Sequence, residues 1–267
     1  MSPERAKPTA LITGASAGIG HELAKVFAAN GHDLILVARR KQKLVSLARS
    51  LSGKHGIAAT PIAMDLAADG AAQALFDEAA ERDLSVGALV NNAGVAFSGR
   101  YRNMKPAQIS TLLHLNVVNL AEMTRLFLPP MVAAGGGRIM NLASIAAFQP
   151  MPLMSLYAAS KAFVLSFSEG LSAELAGTGV TVTALCPGFT DTEMLEKGEQ
   201  KTGRNEAFRA LMVMPPERVA TEGYAAMMRG DPVHVTGLTN RGFTTLTQLA
   251  PRWAIRGLGA LAARERG

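Results

Sequence analysis

The segment Thr9-Ala-Leu-Ile-Thr13-Gly14-Ala-Ser16-Ala-Gly18-Ile19-Gly20 decides the fold of this 267-residue chain. A short apolar run ends in a glycine turn, and helical spacing then continues to Ala29. Glycines in such a turn let backbone N–H groups approach a pyrophosphate, and the helix N-terminus adds partial positive charge. The spacing is G-x-x-x-G-x-G rather than the common G-x-G-x-x-G. A turn between tightly packed elements is the alternative, but the position after the first strand favours dinucleotide binding.

Strand-like and helix-like patterns alternate along the rest of the chain. Strands are predicted at 33–38, 58–63, 87–90, 137–143 and 180–185, and helices at 41–54, 70–82, from Pro106 to Pro129-Pro130, and around Tyr157 to Leu175. Pro61 indicates that the third strand lies near an edge or an end of the sheet. The alternation predicts βαβ units and a parallel sheet covered on both faces.

Composition limits the class of protein. The chain is 48% hydrophobic and has no linker-like stretch, which predicts a single domain over residues 1–267. Cys186, the one cysteine, excludes an intramolecular disulfide and a cysteine-based zinc site. No apolar run has membrane-spanning length and the N-terminus has no secretory apolar region, so we expect a soluble, cytoplasmic protein. The net charge is +6, but the cations are mostly scattered, and nucleic-acid binding is not expected.

The end of the second strand, Val37-Ala-Arg39-Arg40, carries no carboxylate. NAD sites usually place an acidic residue there to bond the adenosine ribose. Guanidinium groups suit the 2′-phosphate of NADP(H) instead, unless both arginines are merely solvated charges. After the third strand, Asp65-Leu66 offers a carboxylate that could accept from the adenine amino group or cap a helix.

Tyr157 and Lys161 stand four residues apart in a helical pattern, with Ser144 upstream. That spacing brings the phenol and the ammonium to one face. A nearby cation favours the phenolate, so Lys161 is predicted to lower the pKa of Tyr157 and make it a general acid or base. A snorkelling lysine beside a half-buried tyrosine is the alternative.

Together these motifs resemble the short-chain dehydrogenase/reductase family from about Thr9 to about Val235. The motifs in the family's order are Thr13-Gly14-x-x-x-Gly18-x-Gly20, Asn91-Asn92-Ala93-Gly94, Asn116, Ser144, Tyr157-x-x-x-Lys161 and Pro187-Gly188. The resemblance implies an α/β, doubly wound Rossmann-like fold with a mainly parallel seven-stranded sheet. It also implies hydride transfer between a nicotinamide cofactor, here NADP(H), and a carbonyl or alcohol carbon.

The resemblance also assigns catalytic roles to four residues. Ser144 would donate a hydrogen bond to the substrate oxygen, and Tyr157 would protonate it. Lys161 would bond the nicotinamide ribose, and Asn116 would hold a water that relays a proton to Lys161. No metal is required, and the five histidines show no ligand spacing.

Cofactor contacts are implied for both halves of the dinucleotide. The candidates are Gly14, Ser16, Gly18, Ile19, Gly20, Arg39, Arg40, Asp65, Leu66, Asn92, Ala93, Gly94, Tyr157, Lys161, Pro187, Gly188, Thr190 and Thr192. The Asn92–Gly94 segment would lie beside the adenosine half, and Pro187-Gly188 would flank the nicotinamide. Thr190 and Thr192 would bond its carboxamide or the phosphates. Phe189 departs from the small residue or proline usual in the family and would narrow the site.

The substrate is a small molecule framed by residues 146–154 and by a substrate loop at 190–216. The predicted lining is Phe148, Met151, Met154, Phe189, Met194, Leu195 and Met212. Such an apolar, adaptable lining suits a hydrophobic ketone or a 3-oxoacyl thioester, although methionine is also ordinary core filler. A non-catalytic dinucleotide-binding sensor or scaffold is the alternative function, disfavoured because all four catalytic residues are present.

The C-terminal extension, residues 241–267, holds five arginines and one glutamate. As a helix from Arg252 it has arginines on one side and apolar residues, including Leu258 and Leu261, on the other. It could pack on a partner subunit or lie on an anionic membrane surface. Gly257 and Gly259 weaken a free-standing helix, so packing is the favoured prediction, within a homo-oligomer (dimer or tetramer).

Overall fold

The protein is built on a sheet of seven parallel strands in a computed structural model that describes residues 8–191 and 213–257. Nine strands are described in two sheets: β1 (Thr9–Thr13), β2 (Leu34–Ala38), β3 (Ala59–Ala63), β4 (Val86–Asn91), β5 (Gly137–Leu142), β6 (Val180–Cys186), β7 (Phe189–Thr190), β8 (Val213–Met214) and β9 (Val233–Val235). The large sheet has the order β3-β2-β1-β4-β5-β6-β9, and β7 pairs with β8 separately. Strand order reverses between β1 and β4, which opens a crevice at their carboxyl ends.

Eight helices are described. They are α1 (Gly18–Ala29), α2 (Lys41–His55), α3 (Ala71–Glu81), α4 (Pro106–Leu113), α5 (Asn119–Ala133), α6 (Ser155–Glu174), α7 (Pro216–Arg229) and α8 (Leu238–Leu249). Short 3₁₀ turns lie at Tyr101–Asn103 and Ile145–Phe148, and residues 252–257 are also helical. No helix in the described ranges is long and apolar enough to cross a bilayer.

Alternation along each strand divides the core between the two faces of the sheet. Ala10, Ile12, Leu34 and Leu36 pack with α1, α2 and α7. Their neighbours Leu11, Ile35, Val37 and Leu89 pack on the other face with α3 and α5. Because helices cover both faces, the carboxyl-terminal four residues of β1, β4 and β5 are all buried, as expected for strands of a covered parallel sheet.

The sequence-based boundaries agree closely with the structure, with one correction. The helix expected from Pro106 to the Pro129-Pro130 pair is interrupted by a π-helical turn at His114–Val118 and ends at Ala133, so both prolines lie inside α5. Strand β3 is an edge strand, which explains how it accommodates Pro61. Strand β9 and helices α7 and α8 were not located from sequence.

A buried polar chain joins β4 and β5 to the flanking helices. The Asn91 Nδ2 donates to Thr124 Oγ1 (3.1 Å) and to Asn141 Oδ1 (2.9 Å). Asn141 Nδ2 in turn donates to Ser168 Oγ in α6 (3.0 Å). Each amide therefore has a hydrogen-bond partner in the core, and the chain fixes α5 and α6 relative to the central strands.

Candidate active site

The crevice between β1 and β4 is closed at its base by Thr13. Its Oγ1 accepts from the N–H groups of Asn92 and Ala93, both at 2.9 Å, and donates to Val90 O at 3.2 Å. The Asn92 side chain donates back to Thr13 O (2.8 Å). These bonds hold the segment after β4 against the glycine turn. Thr13 was predicted only as part of the glycine motif, with no role of its own.

At two positions of the turn, any side chain larger than that of glycine would collide with neighbouring atoms. Gly14 has a φ of +69°, and a Cβ there would lie 2.6 Å from Asn92 Nδ2. A Cβ on Gly20 would lie 2.6 Å from Gly14 O and would also collide with Asn92. The alternative interpretation of the turn, as a connection between tightly packed elements, therefore holds at Gly14 and Gly20. Tight packing there is compatible with cofactor binding at the same turn.

The N-terminus of α1 has the chemistry that a pyrophosphate needs. The preceding Ala17 provides no side-chain cap, and the first turn carries no acidic residue. Neither the cap residue nor an acidic residue of the first turn therefore accepts from its N–H groups, and the helix dipole favours an anion there. Gly18 begins the helix with a φ of +57°, and Ile19 follows in the first turn.

The two arginines after β2 have different surroundings. Arg40 reaches back to the glycine turn, where its Nε donates to Ser16 Oγ (3.1 Å) and its Nη2 to Ser16 O (3.3 Å). Arg39 is exposed and makes no side-chain bond or ion pair with any residue in 8–191 or 213–257. The Arg40 guanidinium thus lies at the glycine turn, and Arg39, directly after β2, is exposed.

Asp65 and Leu66 follow β3 at the same edge of the sheet. Asp65 is exposed, and its Oδ1 accepts from Ala67 N (3.1 Å). Helix α3 begins only at Ala71, so this carboxylate stabilises a turn and does not cap α3. Leu66 is a buried core residue that is 4% exposed, which leaves its backbone rather than its side chain for a ligand.

Tyr157, Ser144 and Lys161 come together where β5 meets α6. The Ser144 side chain is close enough to Tyr157 to lower the pKa of the phenol. Lys161 is buried, and its Nζ donates to Leu142 O (2.6 Å) and lies 5.8 Å from the centre of the Tyr157 ring. Ser144 Oγ also accepts from Ala146 N (3.1 Å), which fixes the hydroxyl at the start of a 3₁₀ turn.

The π-helical turn brings Asn116 to the same place. Asn116 is 1% exposed, its Oδ1 accepts from Val95 N (2.9 Å), and its Nδ2 donates to Val95 O (2.9 Å) and Ser160 Oγ (3.2 Å). A Cβ on Gly94 would lie 3.2 Å from Asn116 Oδ1 and 3.7 Å from Lys161 Nζ. Asn116 and Lys161 therefore face one small space beside Gly94.

Burial governs the acidity of this cluster. It lowers the pKa of Lys161 to about 8, because an ammonium is costly in apolar surroundings. It also raises the pKa of Tyr157, an effect opposed by the neighbouring Ser144 side chain. The effect of Lys161 on this pKa stays a prediction. In the described residues its ammonium bonds Leu142 O and lies 5.8 Å from the centre of the Tyr157 ring.

The loop after β6 provides the opposite wall. Pro187 O accepts from Ile145 N (3.0 Å), which ties this loop to the Ser144 segment. Thr190 is 7% exposed and donates to Gly188 O (3.2 Å). A Cβ on Gly188 would collide with the side chain of Asn240 in α8. Asn240 is a neighbour of this loop that sequence reasoning missed, because nothing in its local pattern marks it.

Part of the predicted substrate lining can be located. Phe148, Met151, Met154 and Phe189 are all half-buried. Thr192, Met194, Leu195 and Met212 lie outside the described residues, as do Leu258 and Leu261 of the C-terminal extension. Between Met151 and Met154, Leu153 has a φ of +68°, and its carbonyl accepts from Gly99 N (2.8 Å). A non-glycine residue in that region is strained, and such strain often accompanies a functional site.

Comparison with known proteins agrees with this geometry. Residues 8–203 match the family model described as short chain dehydrogenase. The chain belongs to the short-chain dehydrogenase family. It is 36% identical over 214 residues to sulfoacetaldehyde reductase 2 of Chromohalobacter salexigens, which covers 79% of this chain and 84% of that protein.

Two further relatives extend the comparison. Very-long-chain 3-oxoacyl-CoA reductase of Anas platyrhynchos is 36% identical over 191 residues, which cover 69% of this chain but only 60% of that protein. A solved short-chain dehydrogenase from Sphingobium yanoikuyae, in complex with NADPH, superposes with a TM-score of 0.79 at 33% identity. That match covers 92% of this chain and 97% of the solved one.

Proposed function

We propose that this protein is an NADPH-dependent carbonyl reductase that converts a hydrophobic ketone or a 3-oxoacyl-type substrate to an alcohol. The observation that carries the proposal is the cluster of Ser144, Tyr157 and Lys161, with Asn116 facing the same space. An acid, a hydroxyl donor and a buried cation are the groups that reduction of a carbonyl needs from the protein. A sensor of the same fold would not need to retain all of them.

Three features of the crevice suit NADP(H). The N-terminus of α1 has no side-chain cap, the turn before it brings backbone close to a ligand at Gly14 and Gly18, and Arg39 is exposed directly after β2. The relative from Sphingobium yanoikuyae is complexed with NADPH, which supports the same cofactor here. When bound, the reduced nicotinamide supplies the hydride. Arg39 would hold the 2′-phosphate, with help from Arg40 or Lys43.

The chain's own residues then manage charge on the substrate oxygen. Ser144 Oγ would donate a hydrogen bond to that oxygen, stabilising the negative charge that develops on it. Tyr157 Oη would deliver the proton. Because burial raises the pKa of Tyr157, the phenol is protonated at neutral pH, which suits an acid in the reducing direction. Ser144 and Tyr157 are neighbours in this cluster, so both would approach one oxygen.

Lys161 and Asn116 would support the tyrosine from behind. Lys161 Nζ would bond the nicotinamide ribose hydroxyls and pass on the replacement proton. Asn116 would hold the water that supplies this proton. Its present bonds to Val95 and Ser160 tie the segment after β4 to α6, which positions Lys161 beside Gly94.

The substrate class rests on the half-buried apolar residues near the tyrosine. Phe148, Met151, Met154 and Phe189 suit an apolar chain or ring. One relative is named as a reductase of very-long-chain 3-oxoacyl-CoA and another as a reductase of sulfoacetaldehyde. We place the substrate loop at 190–216 in a single catalytic domain, and we keep the homo-oligomer and a cytoplasmic location as predictions.

The proposal is tested by following NADPH oxidation with a panel of bulky ketones, 3-oxoacyl thioesters and sulfoacetaldehyde. We expect turnover of at least one bulky ketone or 3-oxoacyl thioester, slowed at least about a hundredfold in Tyr157→Phe. Turnover of sulfoacetaldehyde alone would reject the apolar substrate class. Tight NADPH binding with no turnover of any carbonyl would favour the sensor.

A further inference from the structure

Two polar side chains of helix α8 face the interior of the protein. Asn240 and Thr244 are 1% and 4% exposed, whereas Leu238, Leu246 and Leu249 are 79%, 68% and 80% exposed. At about 100° per residue the three leucines fall within an arc of roughly 80°, opposite Asn240 and Thr244. A helix with its leucines in solvent reverses the usual arrangement, and contiguous exposed apolar surface marks a site of interaction.

A further exposed apolar side chain follows α8 in the chain. Trp253, in the helical residues 252–257, is 71% exposed. Its indole has an apolar body and one polar N–H, which is the chemistry that the boundary between lipid and water favours. We call Leu238, Leu246, Leu249 and Trp253 the α8 apolar face.

Positive charge surrounds this face without a compensating carboxylate on the same segment. Residues 232–264 contain Arg241, Arg252, Arg256 and Arg264 and no aspartate or glutamate. The first three are exposed in the structure. A basic segment with exposed leucines and a tryptophan fits an anionic lipid surface, where arginines meet headgroups and apolar side chains enter the acyl boundary.

A cationic cavity adjoins Leu238. It has a volume of about 270 Å³, and its charged lining is Arg218, Arg229, Arg241, Glu222 and His234. Glu222 accepts from Arg218 Nε (3.1 Å) and Gly237 N (3.1 Å), and Arg229 Nη2 pairs with Asp231 (2.6 Å). Arg241 donates to Val235 O (2.9 Å) and stands 4.0 Å from Glu222. Three arginines against two carboxylates leave the cavity net positive, next to the apolar face.

We propose that the α8 apolar face and its arginines dock the protein on the surface of an anionic lipid bilayer. The proposal adopts the membrane alternative that the sequence left open. A second copy is the weaker occupant, because a two-fold interface would bring the arginines of both copies together with no carboxylate on 232–264 to pair them. No described helix can cross a bilayer, so the segment lies on the surface.

Docking would also orient the candidate active site. The buried side of α8 meets Gly188 through Asn240, and the exposed side would meet lipid. The wall of the crevice formed by Gly188 would then lie about one helix diameter, roughly 10 Å, from the bilayer. This consequence rests on the proposed reductase, whereas docking itself does not.

The test is co-sedimentation of the full-length protein with vesicles at physiological salt. Vesicles of phosphatidylcholine with about a third phosphatidylserine are compared with pure phosphatidylcholine. We expect binding only to the mixed vesicles, weakened by added salt. Arg252→Glu with Arg256→Glu should weaken it by more than the roughly fivefold expected for each arginine lost. Leu246→Asp with Leu249→Asp should abolish it.

Matched controls lie on α2, away from α8. Arg49→Glu with Lys54→Glu changes the net charge equally, and Val45→Asp places a charge on another exposed apolar residue. Both should bind like the wild type. Absence of wild-type binding to the mixed vesicles would overturn the proposal, as would equal binding to pure phosphatidylcholine. Retained binding by the leucine variant would overturn it too. Oligomer dissociation in that variant, with no wild-type lipid binding, would assign the face to a second copy.

Discussion

Helices α6 and α8 both bury polar side chains, but with opposite consequences. In α6 the buried Ser160, Lys161 and Ser168 each have a partner: Tyr157 O at 2.7 Å, Leu142 O at 2.6 Å and Val164 O at 2.7 Å. That arrangement holds an ammonium and a phenol over the crevice. In α8 buried Asn240 and Thr244 turn the leucines outward. The comparison teaches that amphipathic spacing identifies two faces and does not say which one the protein covers.

Removal of the Tyr157 hydroxyl from α6 should have the largest effect on activity. We expect Tyr157→Phe to lower kcat by about a hundred- to ten-thousandfold, because the proton donor is lost while the ring still fills its site. NADPH affinity should stay nearly unchanged. Steady-state kinetics and cofactor titration measure the two quantities. Tyr101→Phe, at an exposed position, is the matched control. Retention of more than about a tenth of the activity would remove Tyr157 from the mechanism.

Lys161, the buried ammonium of α6, should make kcat/KM depend on pH, and its removal should lower the activity. The pKa of Lys161 is about 8, so its charged fraction falls as pH rises through that value. If Lys161 bonds the ribose, kcat/KM for NADPH should decline above pH about 8, since this parameter reports the free enzyme. Lys161→Ala should lose activity and some NADPH affinity. Any residual activity of Lys161→Arg should lack the decline, because arginine stays charged. A flat wild-type profile to pH 10 contradicts the assignment.

Arg39 lies outside both helices, directly after β2. It is an exposed cation that we propose binds the 2′-phosphate of NADP(H). Arg39→Ala should erase most of the preference for NADPH over NADH, about ten- to a hundredfold in affinity. The rate at saturating NADPH should not change. Arg49→Ala, on α2, controls for loss of charge. Equal affinity of the wild type for both cofactors would show that Arg39 does not select.

Substitutions in the two helices should also differ in their effect on the free energy of unfolding. The substitution in α8 should have the smallest effect of all. Val164 is 0% exposed in α6, so Val164→Ala should cost about 2 kcal/mol of unfolding free energy. Leu246→Ala should change it by less than about 0.5 kcal/mol, because the side chain is in solvent. Urea unfolding measures both. A large cost at Leu246 would mean that another part of the chain, such as residues 258–267, covers the α8 apolar face.

The sequence predicted the features that follow from local pattern. Strand alternation and helical spacing were sufficient for six of the seven strands of the large sheet, and the four-residue spacing of Tyr157 and Lys161 placed both on α6. Thr13 and Ser160 were not assigned roles, because a lone hydroxyl carries no local signal of a partner far away in the chain. The π-helical turn around Asn116 and the orientation of α8 depend on tertiary packing, which spacing does not encode.

The most direct test of the central claim is transfer of deuterium from NADPH in which both hydrogens on the reactive carbon of the nicotinamide are replaced by deuterium. A carbonyl substrate found in the NADPH-oxidation panel is reduced by the wild type, and the alcohol is analysed by mass spectrometry. The account predicts one deuterium on the former carbonyl carbon, and labelled alcohol formed at least about a hundredfold more slowly by Tyr157→Phe. Alcohol without deuterium, or labelled alcohol formed equally fast by the variant, would contradict it.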